Sequence, residues 1–284
     1  MTLPAERVSS VRALVGSDAP QVLEILRADP IANCFLLARI AIAGLDPYRL
    51  GGEIFGAFDG DRLLGGVYHG ANLVPFSTDE LMRMHLADRL RPMVRRASSL
   101  VGPGDEVLDL WRWLEPAWGP AREVRVSQPL LAMSQDPLVP GAPDLRVAEP
   151  ADLDVLLPSC VAMFTEEVGI SPLDGNGGSF YRSRVAEIVN RGHAFVQMMN
   201  GEVIFKAEIG SVAQGVAQVQ GVWVPPHLRR RGLATAGMAA LVHHIRARIA
   251  PTVSLYVNHY NVGARLCYER VGFTRVGEFA TVLI

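Results

Sequence analysis

Apolar and polar positions follow the same order twice along the chain. In the first series, a short strand is followed by an amphipathic helix that carries Val22, Ile25 and Leu26. The other predicted elements of this half are the strand Val11–Leu14, a helix at Asn33–Ile42, and two strands at Ile54–Phe58 and Leu63–Tyr68 that flank a tight turn at Asp59–Asp61. The second series begins with a strand at residues 145–148 and a helix that runs from Glu149 past Phe164. The halves are therefore predicted to be tandem copies of one α/β (α+β) fold.

A segment without periodicity separates the two series. Residues 134–144 are rich in proline and polar residues, a composition that is typical of a connection between domains. The sequence therefore predicts a first domain at residues 1–133, a linker at 134–144 and a second domain at 145–284.

The most informative segment lies between residues 218 and 245. An apolar strand, Gln218–Val224, ends at two prolines, and a basic loop containing Gly232 then leads into a helix predicted at Leu233–Ile245. A helix N-terminus presents unpaired backbone N–H groups and about half a positive charge, so it binds anions well. Glycine leaves space for an approaching ligand, and the adjacent arginines can pair with phosphate oxygens. This segment therefore predicts a site for a ligand that carries phosphates.

A second helix with a distinctive pattern follows the next strand, Val253–Val257. Asn261 is placed to cap this helix, Ala264 and Tyr268 share one of its faces, and Gly272 falls at its C-terminus. Together with Arg229, Gly232 and Ala234, the series Asn261, Ala264, Tyr268, Gly272 and Phe273 resembles the acetyl-CoA signature and the following helix of the GNAT (GCN5-related N-acetyltransferase) superfamily. The resemblance covers residues 146–284 and implies two tandem GNAT-like domains, each a mixed, mostly antiparallel sheet flanked by helices.

The resemblance implies transfer of an acetyl group from acetyl-CoA to a primary amine. The residues expected to bind acetyl-CoA are Val222, Trp223, Val224, Arg229, Arg230, Arg231, Gly232, Leu233, Ala234, Thr235, Asn258 and Asn261. In this family the strand before the phosphate loop is bulged, so that its N–H groups can serve the pantetheine arm and the oxyanion. Tyr268 matches the family's proton donor to the departing thiolate; the alternative is that it packs between helix and sheet.

The candidate general base is Glu208. The alternation of residues 205–210 places Lys206 and Glu208 on one face of a strand, next to the strand that carries the oxyanion donors. Glu208 either accepts the proton of the amine or forms a structural ion pair with Lys206. Glu166 and Glu167 precede a glycine-rich loop at 168–179, and they either bind the cationic amine or form a solvated helix end.

The first half lacks a comparable phosphate loop. Ser77-Thr78-Asp79-Glu80 precedes a helix predicted at Leu81–Ser98, and these acids would repel a pyrophosphate but suit a helix start. Residues 1–133 are therefore predicted to be a degenerate GNAT-like domain that walls the acceptor site, supports the second half or makes a dimer contact. Its apolar residues are expected to face a partner, in particular Leu36, Leu37, Ile40 and Trp111–Trp118.

Composition narrows the function classes only slightly. With 49% hydrophobic residues and a formal net charge of −2, the chain can build a large core and does not resemble a nucleic-acid binder that depends on charge. Three widely spaced cysteines fit a reduced compartment and give no metal-ligand spacing. Residues 1–15 lack the apolar block of a signal peptide, and no apolar run reaches membrane-spanning length. We therefore expect a cytoplasmic protein without a metal, nucleic-acid or membrane partner. A homodimer is possible, and the sequence leaves the oligomeric state open.

An acetyl-CoA-dependent N-acetyltransferase is the function that the sequence predicts. The alternative is a regulatory module that binds acyl-CoA without turnover, in which Glu208 is only structural. The sequence leaves the acceptor open between a small-molecule amine and a protein, and it leaves the length of the acyl chain open as well.

Overall fold

The computed structural model describes residues 8–174 and 177–284. Two predictions fall partly outside the described residues. The predicted glycine-rich loop includes residues 175 and 176, and the segment compared with a signal peptide includes residues 1–7.

The structure contains the strands and helices of the two predicted series in their predicted order, together with elements that the sequence did not predict. The strands are β1 (Ser10–Ala13), β2 (Glu53–Asp59), β3 (Arg62–His69), β4 (Asn72–Phe76), β5 (Ser99–Pro103), β6 (Glu123–Met133), β7 (Arg146–Val147), β8 (Ala194–Met199), β9 (Glu202–Ala213), β10 (Val216–Trp223), β11 (Thr252–Tyr256) and β12 (Thr274–Leu283). The α-helices are α1 (Ala19–Arg27), α2 (Cys34–Ala43), α3 (Pro47–Leu50), α4 (Glu80–Leu90), α5 (Gly104–Trp118), α6 (Leu153–Val168), α7 (Gly177–Asn190), α8 (Leu233–Arg248) and α9 (Val262–Val271). Each of these helices is too short or too polar to span a bilayer.

Backbone contacts divide the chain into two compact units. Unit 1 contains the described residues up to Leu131, together with Tyr256–Asn261 and Arg275–Ile284. Unit 2 contains Ala132–Leu255 and Val262–Thr274. The sequence assigns all of residues 145–284 to the second domain. The compact units differ from this division, because Tyr256–Asn261 and Arg275–Ile284 lie in unit 1.

The sheet of unit 1 has the strand order β1-β2-β3-β4-β5-β12-β6. Strands β1 to β4 are antiparallel neighbours, whereas β4 and β5 are parallel. Asp59 pairs with Arg62, so Gly60, at φ +59°, and Asp61 form the predicted two-residue turn between β2 and β3.

The C-terminal strand completes this sheet. Phe279–Leu283 of β12 pair antiparallel with Ser99–Pro103 of β5. Ala280 and Val282 are fully buried, in the same core as Leu110 and Leu114 of α5. The last ten residues are therefore a structural part of unit 1, although they follow the whole of the second sequence series.

The sheet of unit 2 has the strand order β11-β10-β9-β8-β7. Strands β10 and β11 are parallel, and the other neighbours are antiparallel. Residues 134–144 contain neither helix nor strand, as predicted for a linker. They are nevertheless tied to unit 2, because the backbone N–H of Leu138 donates to the carbonyl of Val271 at 2.9 Å and that of Ala142 to the carbonyl of Ala236 at 2.9 Å.

Both units begin with the same arginine–aspartate contact. In unit 1, the guanidinium of Arg12 donates to both carboxylate oxygens of Asp18, at 2.7 and 2.8 Å. In unit 2, Arg146 and Asp152 repeat this pair at 2.6 and 2.8 Å, again six residues apart. In each case the aspartate also accepts a bond from the backbone N–H three residues before it. With the matching strand orders, these contacts confirm the predicted fold class of two tandem copies.

Two expectations for the first half were wrong. Leu36, Leu37, Ile40 and Trp111 are at most 5% exposed, so they form the interior of unit 1 and do not present a surface to a partner. The helix predicted at Leu81–Ser98 ends at Leu90, and β5 begins at Ser99. Strand β5 escaped prediction because glycine and proline at residues 102–104 suggest a loop. Helix α5 has an amphipathic pattern, with Val107, Leu110, Trp111 and Leu114 buried, and its apolar residues were wrongly expected at a surface.

Candidate active site

The loop before α8 has the backbone shape of an anion site. Arg230 and Gly232 both adopt left-handed conformations, at φ +63° and +82°, and α8 begins at Leu233. The first helical hydrogen bond runs from the N–H of Ala236 to the carbonyl of Gly232, so the N–H groups of residues 233–235 have no helical partner. Among the described residues, no side chain caps this turn, and no atom lies within 4 Å of the position that a Cβ of residue 232 would take. Consecutive N–H groups in such a turn form a concave site for an anion.

Arg229 is engaged by a carboxylate of the protein itself. Its guanidinium donates to both oxygens of Glu166, at 2.8 and 2.6 Å, and its Nε donates to the carbonyl of Val224 at 3.0 Å. The indole N–H of Trp223 also points to Glu166, at 3.3 Å. These bonds lower the pKa of Glu166, chiefly through Arg229. The structure thus brings together two residues that the sequence assigned to different ligands, Arg229 to the pyrophosphate and Glu166 to the amine.

The other predicted cofactor residues line the same segment. Arg230 and Arg231 are exposed and form no ion pair with any residue that the structure describes. Val222, Trp223, Leu233, Ala234 and Thr235 are half-buried, and Val224 is buried. The hydroxyl of Thr235 donates to the Sγ of Cys267 at 3.5 Å, which joins the first turn of α8 to α9.

Strand β10 carries the bulge that the family resemblance implies. Gln220 pairs with Glu208 and Trp223 with Lys206, so β10 has one more residue than β9 across this interval. Gly221 lies in the bulge at φ +62°, a conformation that favours glycine. A Cβ on this residue would lie 3.1 Å from the carboxyl carbon of Glu208 and 3.2 Å from both of its oxygens. The bulge therefore lies directly against the carboxylate of the candidate base.

Glu208 is part of a buried polar cluster. The ammonium of Lys206, which is 1% exposed, donates to the Oε1 of Glu208 at 2.7 Å and to the carbonyl of Gly221 at 3.0 Å. On α6, the thiol of Cys160 faces the same carboxylate oxygen at 3.9 Å, and the Sδ of Met163 lies 3.4 Å from the ammonium. Burial raises the pKa of the Cys160 thiol to about 11, which keeps it protonated at neutral pH. The predicted placement of Lys206 and Glu208 on one face is confirmed, and the ion pair that was the alternative for Glu208 is present.

Tyr268 lies on α9 and is 6% exposed. Its ring packs edge-on against Phe273, with 5.9 Å between the ring centroids. Burial raises the pKa of its hydroxyl, and the charges of Cys267 and Glu167 raise it further, so the phenol holds its proton at neutral pH.

Asn258 and Asn261 lie in unit 1. Asn258 is buried, and its side-chain oxygen accepts a hydrogen bond from the amide of Gln128 at 2.7 Å. The other end of Gln128 accepts one from the hydroxyl of Thr281 at 2.6 Å. Asn261 is exposed, and its N–H donates to the carbonyl of Asn258 at 2.9 Å. The Asn258 side chain thus has a structural contact in unit 1, whereas its predicted role was cofactor binding.

The corresponding loop of unit 1 already contains a carboxylate. Glu106 of α5 accepts from the N–H and from the hydroxyl of Thr78, at 3.0 and 2.6 Å. Asp79 caps α4 by accepting from the N–H of Met82 at 2.8 Å, which confirms its predicted role at a helix start. Burial raises the pKa of Glu106, and the bonds from Thr78 oppose that shift. In unit 1, the N–H of Thr78 before α4 is thus already bonded to a side chain of the same unit.

Sequence reasoning missed several residues around the site. Gly221 carried a usable signal, because a glycine inside a strand often marks a bulge. Cys160 and Met163 carried none, since an apolar helix face looks the same whether or not it covers a charged pair.

Comparison with known proteins agrees with this geometry. Residues 173–273 match the model of the acetyltransferase (GNAT) family, and residues 52–156 match a domain of unknown function (DUF4081). No curated protein gives a significant match to the sequence.

Solved structures resemble nearly the whole chain. A protein from Drosophila melanogaster aligns with a TM-score of 0.68 at 16% identity, over 96% of this chain and 98% of its own. A GCN5-related N-acetyltransferase from Sphaerobacter thermophilus aligns with a TM-score of 0.61 at 17% identity, over 96% and 94%. An acetyltransferase of the GNAT family from Colwellia psychrerythraea aligns with a TM-score of 0.56 at 14% identity, over 97% and 99%.

These matches show the fold of the chain and support a general class of activity. The likeness to solved structures shows that the chain has the GNAT fold over nearly its full length. The family match confirms the predicted resemblance of the C-terminal half to the GNAT acetyltransferases and supports acetyl transfer as the general class of its activity.

Proposed function

We propose that this protein is an acetyl-CoA-dependent N-acetyltransferase whose reaction takes place in unit 2. The observation that carries the proposal is the bulge of β10, the strand that leads into the anion-binding loop. This bulge brings Gly221 against the carboxylate of Glu208 on β9. The candidate base on β9, the bulge of β10 and the anion-binding loop thus follow one another between residues 208 and 235. The family match at residues 173–273 supports the same activity.

The loop and the first turn of α8 suit the phosphates of acetyl-CoA. The N–H groups of residues 233–235, the open space at Gly232 and the exposed guanidinium groups of Arg230 and Arg231 form a positive, uncapped surface. When bound, acetyl-CoA supplies an activated acetyl thioester, and backbone N–H groups of the opened strand at Val222 and Trp223 are suited to its carbonyl oxygen.

Proton transfer is assigned to two residues. Glu208 takes a proton from the acceptor ammonium, so that the amine nitrogen can form its bond to the acetyl carbon. Tyr268, whose raised pKa keeps the phenol protonated, donates a proton to the sulfur as the carbon–sulfur bond breaks. The nitrogen loses its second proton as the tetrahedral intermediate collapses, and this proton restores the phenol of Tyr268. The ammonium is thereby converted to an acetamide, and a free thiol is released.

Glu167 is the better candidate of the two predicted acceptor carboxylates. Glu166 has both oxygens bonded to Arg229 and one also to Trp223, so it has little capacity left for an ammonium group. The carboxylate of Glu167 contributes to the raised pKa of the Tyr268 phenol, which supports a role for Glu167 beside the proposed proton donor. A cationic amine held by Glu167 would therefore lie near the groups that react.

An acyl-CoA-binding module without turnover is the second candidate. The observation that favours it is the ion pair of Lys206 with Glu208, because a carboxylate already paired with a buried cation can serve the fold alone. In this case the loop still binds the phosphates of acyl-CoA, but Glu208 and Tyr268 take no part in proton transfer.

Release of free thiol from acetyl-CoA in the presence of amines separates the two functions. We expect at least one member of a panel of small amines and peptides to give thiol release that depends on both substrates, and Glu208→Gln to lower its rate by about 10²-fold or more. Thermal stabilisation by acetyl-CoA without thiol release for any amine would favour the binding module. Release that is unchanged in Glu208→Gln would remove the assigned base.

A further inference from the structure

Lys206 contacts both parts of the proposed site at once. Its ammonium donates to the carboxylate of Glu208 on its own strand and to the carbonyl of Gly221 in the bulge of the next strand. It is also the only lysine of the chain, and only 1% of its surface is exposed. A lysine is rarely buried to this extent, because removing its charge from water is costly unless several partners replace the solvent.

The bulge explains why this position holds a lysine. A bulge takes backbone groups out of the β ladder, so the carbonyl of Gly221 needs a donor from elsewhere. An ammonium has three donors. One bonds this carbonyl and one bonds Glu208, and the Sδ of Met163 at 3.4 Å is a third, weaker partner. An apolar residue would leave both oxygens without this donor.

Among the residues that the structure describes, Lys206 is the cation that forms an ion pair with Glu208. The titratable groups that face it from the packed elements are Lys206 on β9, the thiol of Cys160 on α6 and the phenol of Tyr181 on α7. Burial raises the pKa of both the thiol and the phenol, so each is neutral over the physiological range. Within the described residues, the positive charge opposite the carboxylate therefore comes from Lys206 alone.

We propose that Lys206 is a positioning residue that keeps Glu208 ionised and fixes its carboxylate against the β10 bulge. The proposal rests on the function proposed above, in which Glu208 is the base. It gives Lys206 two linked effects. The carboxylate stays available for a proton at neutral pH, and the strand edge that receives the thioester keeps its shape.

The test is the pH dependence of kcat/KM for Lys206→Met, Lys206→Arg and the native chain. Lys206→Met keeps the length of the side chain but removes its charge, so the acidic limb of the profile should move up by at least about one pH unit. At pH values below the native limb, a shift of about one pH unit lowers the rate about tenfold, and the rate should recover as the pH rises. Lys206→Arg keeps the charge and should retain the native limb. Arg83→Met, which removes a largely buried ion pair with Asp109 in unit 1, is the matched control and should change stability alone.

A second readout does not need turnover. In protein labelled with ¹³C at glutamate carboxyl carbons, the resonance lost in Glu208→Gln identifies Glu208, and its titration midpoint should rise by at least about one pH unit in Lys206→Met. A midpoint and an acidic limb that both stay at their native values, with only a lower melting temperature, would overturn the proposal. If the native chain released no thiol with any amine, the proposed function would fail, and the titration would still decide whether Lys206 controls the ionisation of Glu208.

Discussion

At Tyr268, burial decides which protonation state is available for chemistry. The phenol is almost completely buried on α9, and its raised pKa means that it carries its proton throughout the neutral range. A thiolate leaving group needs such a donor, whereas a residue that only packs needs just the ring. The hydroxyl and the ring can therefore be separated by removing one atom.

Tyr268→Phe should keep the affinity for acetyl-CoA and lower kcat by about 10²-fold, because the ring and its contact with Phe273 remain while the proton donor is lost. Calorimetry gives the affinity and the thiol assay gives kcat. Tyr48→Phe, at a side chain that is 95% exposed, is the control and should match the native chain. Native kcat in Tyr268→Phe would assign Tyr268 to packing.

The contact of Glu166 with Arg229 is a second feature whose effect on cofactor binding can be tested by changing single residues. Glu166→Gln removes the charge that engages the guanidinium, so Arg229 becomes free to meet the pyrophosphate. We expect affinity for acetyl-CoA in low salt to rise or stay unchanged in Glu166→Gln and to fall about threefold or more in Arg229→Gln. Titration calorimetry of both variants measures this. A loss of affinity in Glu166→Gln as large as that in Arg229→Gln would show that the intact pair builds the loop.

At the scale of elements, the two repeats begin with the same arginine–aspartate contact. Arg12 bonds Asp18 and lowers its pKa, and Arg146 does the same to Asp152. A carboxyl group whose pKa is lower in the folded chain stabilises that chain above its unfolded pKa and loses this effect as the pH falls through the folded value. The stabilisation is therefore present at neutral pH and declines below about pH 4.

Asp18→Asn should lower the free energy of unfolding at pH 7 by about 1 kcal/mol, because it removes an ion pair and a bond to the backbone N–H of Val15. The difference from the native chain should narrow as the pH falls below about 4. Urea unfolding at several pH values measures both effects. Asp144→Asn, at an exposed residue of the linker, is the control, and an equal loss there would contradict the assignment.

Most elements could be predicted from periodicity, and their long-range partners could not. Helix α8 and strand β11 follow local patterns and begin within one residue of the predicted positions. The pairing of β12 with β5 joins residues far apart in sequence, and no local signal specifies it. For the same reason, Glu208 and Gly232 could be proposed from motifs, whereas the contact of Glu166 with Arg229 across 63 positions could not.

At the scale of the whole molecule, the place of β12 determines how the chain can be divided. A fragment of residues 134–284 retains the proposed site but lacks β5, the partner of the last strand. We expect this fragment to be insoluble or to melt at least about 10 °C below the full chain, because β12 would expose an unpaired edge and the buried side chains of Ala280 and Val282. Expression and thermal melting of both chains measure this. A fragment as stable as the full chain would show that β12 does not need its pairing with β5.

The tandem fold also predicts how many cofactor sites the molecule has. Unit 2 leaves the N–H groups of residues 233–235 uncapped. In unit 1, Asp79 caps α4, and Glu106 accepts from the N–H of Thr78 in the preceding loop. The two copies therefore have the same architecture but different capacity for a phosphate, and the proposed function requires a single site in unit 2.

Calorimetric titration of acetyl-CoA into the full chain, native and Gly232→Asp, tests this account most directly. Aspartate tolerates the left-handed conformation better than most residues, and its charge would meet the pyrophosphate. Gly60→Asp places the same side chain at another left-handed glycine, in the β2–β3 turn of unit 1, and controls for backbone strain. We predict one site in the native chain and in Gly60→Asp, and none in Gly232→Asp. Two equivalent sites, or unchanged binding in Gly232→Asp, would contradict the account.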